Sequence, residues 1–156
     1  MKLEDYTGKL NDHESYLKVL KILEEKTKYI ELVLRNKDIV NEIVKKFKSD
    51  IIGSKIVTEW WGTKMIKSTK LFRIQATKEI FEFLRKYETF CKYYFSKRVI
   101  DNFYESGSIL GDVCESTDFG DDDIAFFDDL DNILLCTTTH EGYIMISLEI
   151  KNEMKD

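Results

Sequence analysis

The sequence predicts an α+β fold, a single domain over residues 1–156 in which an antiparallel sheet, including a C-terminal four-strand meander, packs against N-terminal and central helices. Three observations carry this expectation. Before Gly107, amphipathic stripes at helical spacing alternate with short β-branched runs. After it, apolar runs of six to nine residues are separated only by clusters of turn residues. The third observation is that 43% apolar and 13% aromatic residues can fill one core in a chain of this length without disulfides or metals.

Taken in order, Asn11 with Glu14 reads as a capping box. Tyr16, Leu17, Leu20 and Leu23 then recur at helical spacing, which predicts a first helix to about Thr27. "YIELVLR", 29–35, is rich in β-branched and aromatic side chains and predicts a strand. From Asp38, the stripe Val40, Ile43, Val44 and Phe47 predicts a second helix, with lysines near its end and Gly53 as its stop. "KIVTEWWG", 55–62, and "KLFRIQA", 70–76, predict a hairpin. Thr77 is placed to cap a third helix carrying Ile80, Phe81, Leu84, Tyr87 and Cys91, expected to continue through "CKYYFSK", with a short helical piece around 98–104. The final runs "SILGDVCES", "DDIAFF", "NILLCTT" and "GYIMISLEI" predict the four strands of the meander. Consecutive Ile133, Leu134 and Leu135 imply a central strand covered on both faces.

Charge is unevenly distributed. Residues 1–98 hold 22 basic and 14 acidic side chains, whereas Val99 to Ile150 contains 13 Asp or Glu and no Lys or Arg. Such segregation speaks to steering and partners rather than to fold. The opening "MKLEDYTGKLND" has no apolar core of a signal peptide, and no apolar run reaches the roughly 20 residues of a membrane span. A cytoplasmic protein that does not engage a membrane is therefore expected. Three widely spaced cysteines, Cys91, Cys114 and Cys136, suit reduced thiols. Nucleic acid is a disfavoured partner, because a connected region of thirteen carboxylates repels phosphate.

The densest acidic stretch, "TDFGDDDIAFFDDLDN", supplies Asp118, Asp121, Asp122, Asp123, Asp128, Asp129 and Asp131. No frame through it offers the ligand order of an EF-hand loop. "GSILGDVCESTDFGDDD" resembles the nucleotidyltransferase pattern, in which Gly107 and Ser108 would hold a triphosphate while Asp121 and Asp123 would bind magnesium. That fold, however, places a helix between the two halves and a third carboxylate on a later strand, and little basic charge lies near to meet phosphate. His13 and His140 lack zincin spacing. Cys136 and His140, four residues apart on an extended run, are roughly 13 Å apart, too far for a nucleophile and its base. No catalytic residue, metal or cofactor is expected.

Trp60 and Trp61 are adjacent on a predicted strand, so their side chains point to opposite faces. Either one lies in the core and the other under a helix, or one is exposed as an interface anchor.

The succession "WWGT", "LFRIQATKEIFEFLRKY" and "DDDIAFFDDLDNILLCTTTHEGYI", an acidic group before an apolar hairpin whose second strand ends in His-Glu, resembles small bacterial immunity proteins that neutralise secreted toxins. The resemblance implies one α+β domain with no catalytic residues that binds a single cognate protein. On this reading the seven aspartates, with Trp60 and Trp61, form the surface that meets a basic toxin or nuclease. The alternatives are a metal-dependent nucleotidyltransferase-like enzyme using Gly107, Ser108, Asp121 and Asp123, and a homomeric structural protein in which basic and acidic halves neutralise one another within one molecule or between two.

Overall fold

The computed structural model describes residues 2–35, 41–61, 63–94, 113–115 and 117–155. Among these the elements run β1 (Leu3–Asp5), α1 (His13–Lys26), β2 (Tyr29–Leu34), α2 (Glu42–Lys46), β3 (Ile51–Trp60), β4 (Thr63–Gln75) and α3 (Lys78–Leu84). They continue with β5 (Lys92–Tyr94), β6 (Val113–Glu115), β7 (Asp123–Phe127), β8 (Ile133–Thr138), β9 (Tyr143–Ser147) and α4 (Leu148–Met154). The fold is mixed α and β with antiparallel pairing throughout. Seven strands form one sheet in the order β1-β9-β8-β7-β2-β4-β3, and β5 pairs with β6 in a separate ribbon.

Local chemistry explains most element boundaries. Asp12, rather than Asn11, caps α1, its carboxylate accepting a 2.8 Å bond from the Ser15 amide. Tyr16, Val19, Leu20 and Leu23 then form the buried stripe. Asn41 caps α2 by accepting from the amides of Ile43 and Val44. Helix two is thus shorter than expected within the described residues, and Gly53 lies inside β3 instead of stopping the helix. The 38–40 part of that expectation falls outside the described residues. Thr77 caps α3 as its sequence position implies, accepting from the Ile80 amide.

Helix three does not continue through 91–94 as expected: it ends at Leu84, and Lys92–Tyr94 is a strand, while residues 95–97 of that expectation lie outside the described residues. Phe90 and Cys91 are buried, with Phe90 against Tyr16 and Phe126, and these contacts from non-helical backbone override the expected helical continuation. The helical piece expected around 98–104 lies outside the described residues. At the C-terminus, Ser147 ends β9 and its hydroxyl accepts from the Ile150 amide, so "LEI" turns into α4 rather than extending the strand. β1 is too short to leave a pattern in the sequence.

β7, β8 and β9 are successive antiparallel neighbours. The fourth expected strand, 113–115, pairs with β5 because the other edge of β7 is occupied by β2, with Ile30 opposite Phe126 and Leu32 opposite Ile124. Every residue of β7 and β8 is buried. One sheet face, carrying Ile30, Leu32, Ile74, Ile124, Phe126 and Leu135, shares a core with Leu20 and Leu23 of α1, Phe81 of α3 and Ile150 of α4. The other face buries Val33, Leu71, Ala125, Phe127, Ile133 and Cys136 in a smaller cluster that includes Trp60. Trp60 ends β3 at one edge of the sheet, yet its indole N–H donates a 2.8 Å bond to the Thr137 carbonyl on β8. The long β3–β4 hairpin therefore curls over this second face and makes it concave.

Candidate functional site

The aspartates of 117–131 divide between two turns at opposite ends of β7, and their roles differ. In the first turn, Asp118 is exposed and accepts a 3.2 Å bond from the Glu88 amide. Asp121 is exposed. Asp122 is half-buried, accepts from Asn41 Nδ2 at 2.7 Å, and is tied to α2 through that cap. Burial raises its pKa above the usual aspartate value, against the opposing effect of hydrogen bonds from Asn41 and the Arg35 amide.

Asp123 is withdrawn from solvent altogether. Its Oδ2 accepts from Arg35 Nε at 2.6 Å and its Oδ1 from the Thr139 amide at 2.7 Å. Both oxygens are thereby committed to the fold, and Asp123 is a structural anchor, not part of an exposed binding surface. The register causes this. Asp123 lies opposite Val33 on β2, so its side chain points into the covered face and the residue two beyond Val33 is the arginine that compensates it. The same commitment bears on the Asp121–Asp123 pair of the nucleotidyltransferase pattern. Its Gly107 and Ser108 lie outside the described residues.

The second turn, Asp128 to Asn132, is built by Asp128, which accepts from the amides of Leu130 and Asn132 and from Asn132 Nδ2. Asp131 adopts φ 65°, a left-handed conformation that Asp tolerates better than most side chains, and its carboxylate pairs with Arg73. Asp129 is exposed and Leu130 is 77% exposed. An apolar side chain at the tip of a tight acidic turn contributes nothing to the core.

Trp60 and Trp61 separate as the sequence allows: Trp60 is buried and bonded to Thr137, whereas Trp61 is 44% exposed with φ 45°. Trp60 is therefore a core residue rather than a docking residue, because the hairpin curl carries it under the sheet. The Trp61 ring lies 6.1 Å from that of Phe127, the residue that leads into the second turn. On the concave face, the Arg73 guanidinium sits 4.3 Å from the Tyr29 ring and 5.3 Å from Phe127, and donates to Glu31 at 3.1 Å. Arg73, Glu31 and Asp131 line an open cleft of about 370 Å³ together with Gly53, Ser54, Lys55 and Leu71.

Trp61 thus lies against Phe127, the residue that leads into the second turn, and that turn carries exposed Leu130 between Asp129 and Asp131. Leu130, Arg73 and Arg35 were not legible as site residues in the sequence. The only signal for Leu130 was an apolar residue inside "DDLDN", and Arg73 becomes notable once the register sets it opposite Glu31.

The charge segregation is partly resolved inside the molecule. Arg35–Asp123, Arg73–Asp131 and Lys26–Glu149 each join the basic and acidic segments. Asp118, Asp121 and Asp129 form no ion pair among the described residues. Cys136 is buried against Ala125 and Met145, and burial pushes its thiol up to about 12, so it is not poised as a nucleophile. His13 Nδ1 lies 2.9 Å from the Glu88 carbonyl. Among the described residues no three His, Cys, Asp or Glu side chains are grouped to hold a metal, and no helix is long and apolar enough to cross a membrane. Compared with protein-family models, characterised proteins and solved structures, the chain matches none.

Proposed function

We propose that the protein is a non-enzymatic binding protein of the immunity type, which neutralises one basic bacterial toxin or nuclease through the β7–β8 turn and the neighbouring Trp61. The observation that carries this reading is that the β7–β8 turn exposes Leu130 next to acidic Asp129, while exposed Trp61 lies against Phe127, which leads into that turn. Apolar anchors supply the energy of a docking surface, and surrounding charge supplies encounter rate and choice of partner. Asp118 and Asp121, at the far end of β7, add to the negative field without touching the same patch.

The test is affinity purification from the native host followed by titration with the captured protein. Leu130→Ala and Trp61→Ala, both at exposed positions, are expected to weaken binding by about 30-fold each, as truncation of an interface anchor does, while leaving Tm within a few degrees. A captured protein that binds both variants as tightly as the parent chain counts against the reading.

A further inference from the structure

β3 is the outermost strand of the seven-stranded sheet, and it is ten residues long. Its first nine residues are exposed or half-buried, with Ile52 at 53% and Ile56 at 61%, and only Ile51, Val57 and the terminal Trp60 pack against the core clusters. Among the described residues, the backbone of Ile51–Trp60 bonds to no strand except β4. A long edge strand with β-branched residues and open backbone donors and acceptors is a template for another strand. Natural edges are usually interrupted by charges and bulges. Here Ile52 is the bulged residue at one end, and a second irregularity, between Val57 and Glu59, adds its extra residues to β4 rather than to β3. The stretch Gly53–Trp60 therefore carries no extra residue on its own strand, and the charges along it are Lys55 and Glu59.

We propose that this edge pairs antiparallel with β3 of a second copy of the chain, about a two-fold axis through Val57. Charge selects both the occupant and the register. Lys55 and Glu59 are exposed, make no ion pair among the described residues, and lie symmetrically about Val57. In an antiparallel pair centred on Val57, Lys55 stands opposite Glu59 of the second copy, and the symmetry makes this contact twice. Ile56 stands opposite Thr58, and Val57 opposite its own counterpart, both β-branched pairs suited to a strand ladder. A pair centred on Lys55 would instead oppose the two lysines. The result is one continuous sheet across two chains that buries Ile56. Such pairing needs no partner protein and is independent of the proposed immunity function.

The experiment is light scattering of the full 156-residue chain at tens of micromolar, where the expected mass is near 37 kDa, twice that of the 18.5 kDa monomer. Lys55→Glu and Glu59→Lys each replace two attractive contacts by two repulsive ones. Each alone is expected to weaken the dimer by about tenfold or more. When the two single variants are mixed, each cross-strand contact between unlike chains again joins one glutamate to one lysine. The mixture is therefore expected to recover the dimer, as is the double variant that exchanges the two charges. A monomeric parent chain overturns the proposal. So does a dimer indifferent to the single changes, or one that the mixture fails to restore. Both side chains are exposed, and circular dichroism of each variant separates a failure of pairing from a failure to fold.

Discussion

Asp123, without any solvent exposure, and Arg35, on the neighbouring strand's extension, form an ion pair at 2.6 Å that the Thr139 amide completes from just beyond β8. This contact fastens three parts of the chain at the end of the sheet where β7 begins. Breaking one partner leaves the other charge buried and uncompensated, which costs far more than the pair contributes against apolar replacements. Asp123→Ala is therefore expected to destabilise by about 3–5 kcal/mol in urea unfolding, while Asp123→Leu combined with Arg35→Met is expected to recover most of that loss. A mild effect of the single change would show that the pair is not buried in solution.

Asp122 makes stability depend on pH. Its folded pKa is raised by burial, so the native state binds its proton more tightly than the unfolded chain does. The stabilisation from protonation is complete below the unfolded aspartate value and disappears as pH rises through the folded one. Asp122→Asn keeps an acceptor for Asn41 and removes the charge. It is expected to raise Tm at pH 7, with the advantage over the parent chain shrinking as pH falls through the raised folded pKa and gone once pH is below the ordinary aspartate value. A gain independent of pH would assign it to packing instead.

Arg73 holds two carboxylates that differ in worth. Glu31 is largely buried, while the Asp131 side chain is 65% exposed. An exposed pair contributes little, so Asp131→Asn is expected to change stability by no more than about 0.5 kcal/mol. Arg73→Lys loses the planar stack on Tyr29 and the second donor, and is expected to cost about 1–2 kcal/mol. Denaturant melts of both variants check the ranking.

Cys91 and Cys136 are buried, and the Cys136 thiol is held up to about 12 by burial and, secondarily, by Asp123. At pH 8 neither is expected to react with a thiol reagent in the native state, with labelling appearing only on unfolding. Peptide mapping of the labelled sites after minutes of exposure measures this directly.

The sequence made the α1 stripe, β2, the β3–β4 hairpin, the Thr77 cap and the apolar runs of β7 to β9 legible, because each has a local cause in periodicity or capping. What it left hidden depends on pairing partners distant in the chain. The strand at 113–115 reads like a fourth meander strand, yet Ile30 and Leu32 of β2 take the edge of β7 first. Likewise, adjacent aspartates at 121, 122 and 123 look alike in sequence. Only the register against Val33 decides that Asp121 faces water while Asp123 is buried against Arg35. The tryptophans followed the same logic. Their alternation was visible, but the curl that buries Trp60 against Thr137 and leaves Trp61 outside was not.

Charge reversal on the exposed acidic side chains tests the binding account most directly. The measurement is the association and dissociation rate of the captured partner with the parent chain and with Asp121→Lys/Asp129→Lys, across a series of salt concentrations. The variant is expected to associate about tenfold more slowly at low salt, with the difference narrowing as salt rises and dissociation nearly unchanged. Equal association rates for the two chains at low salt would contradict it.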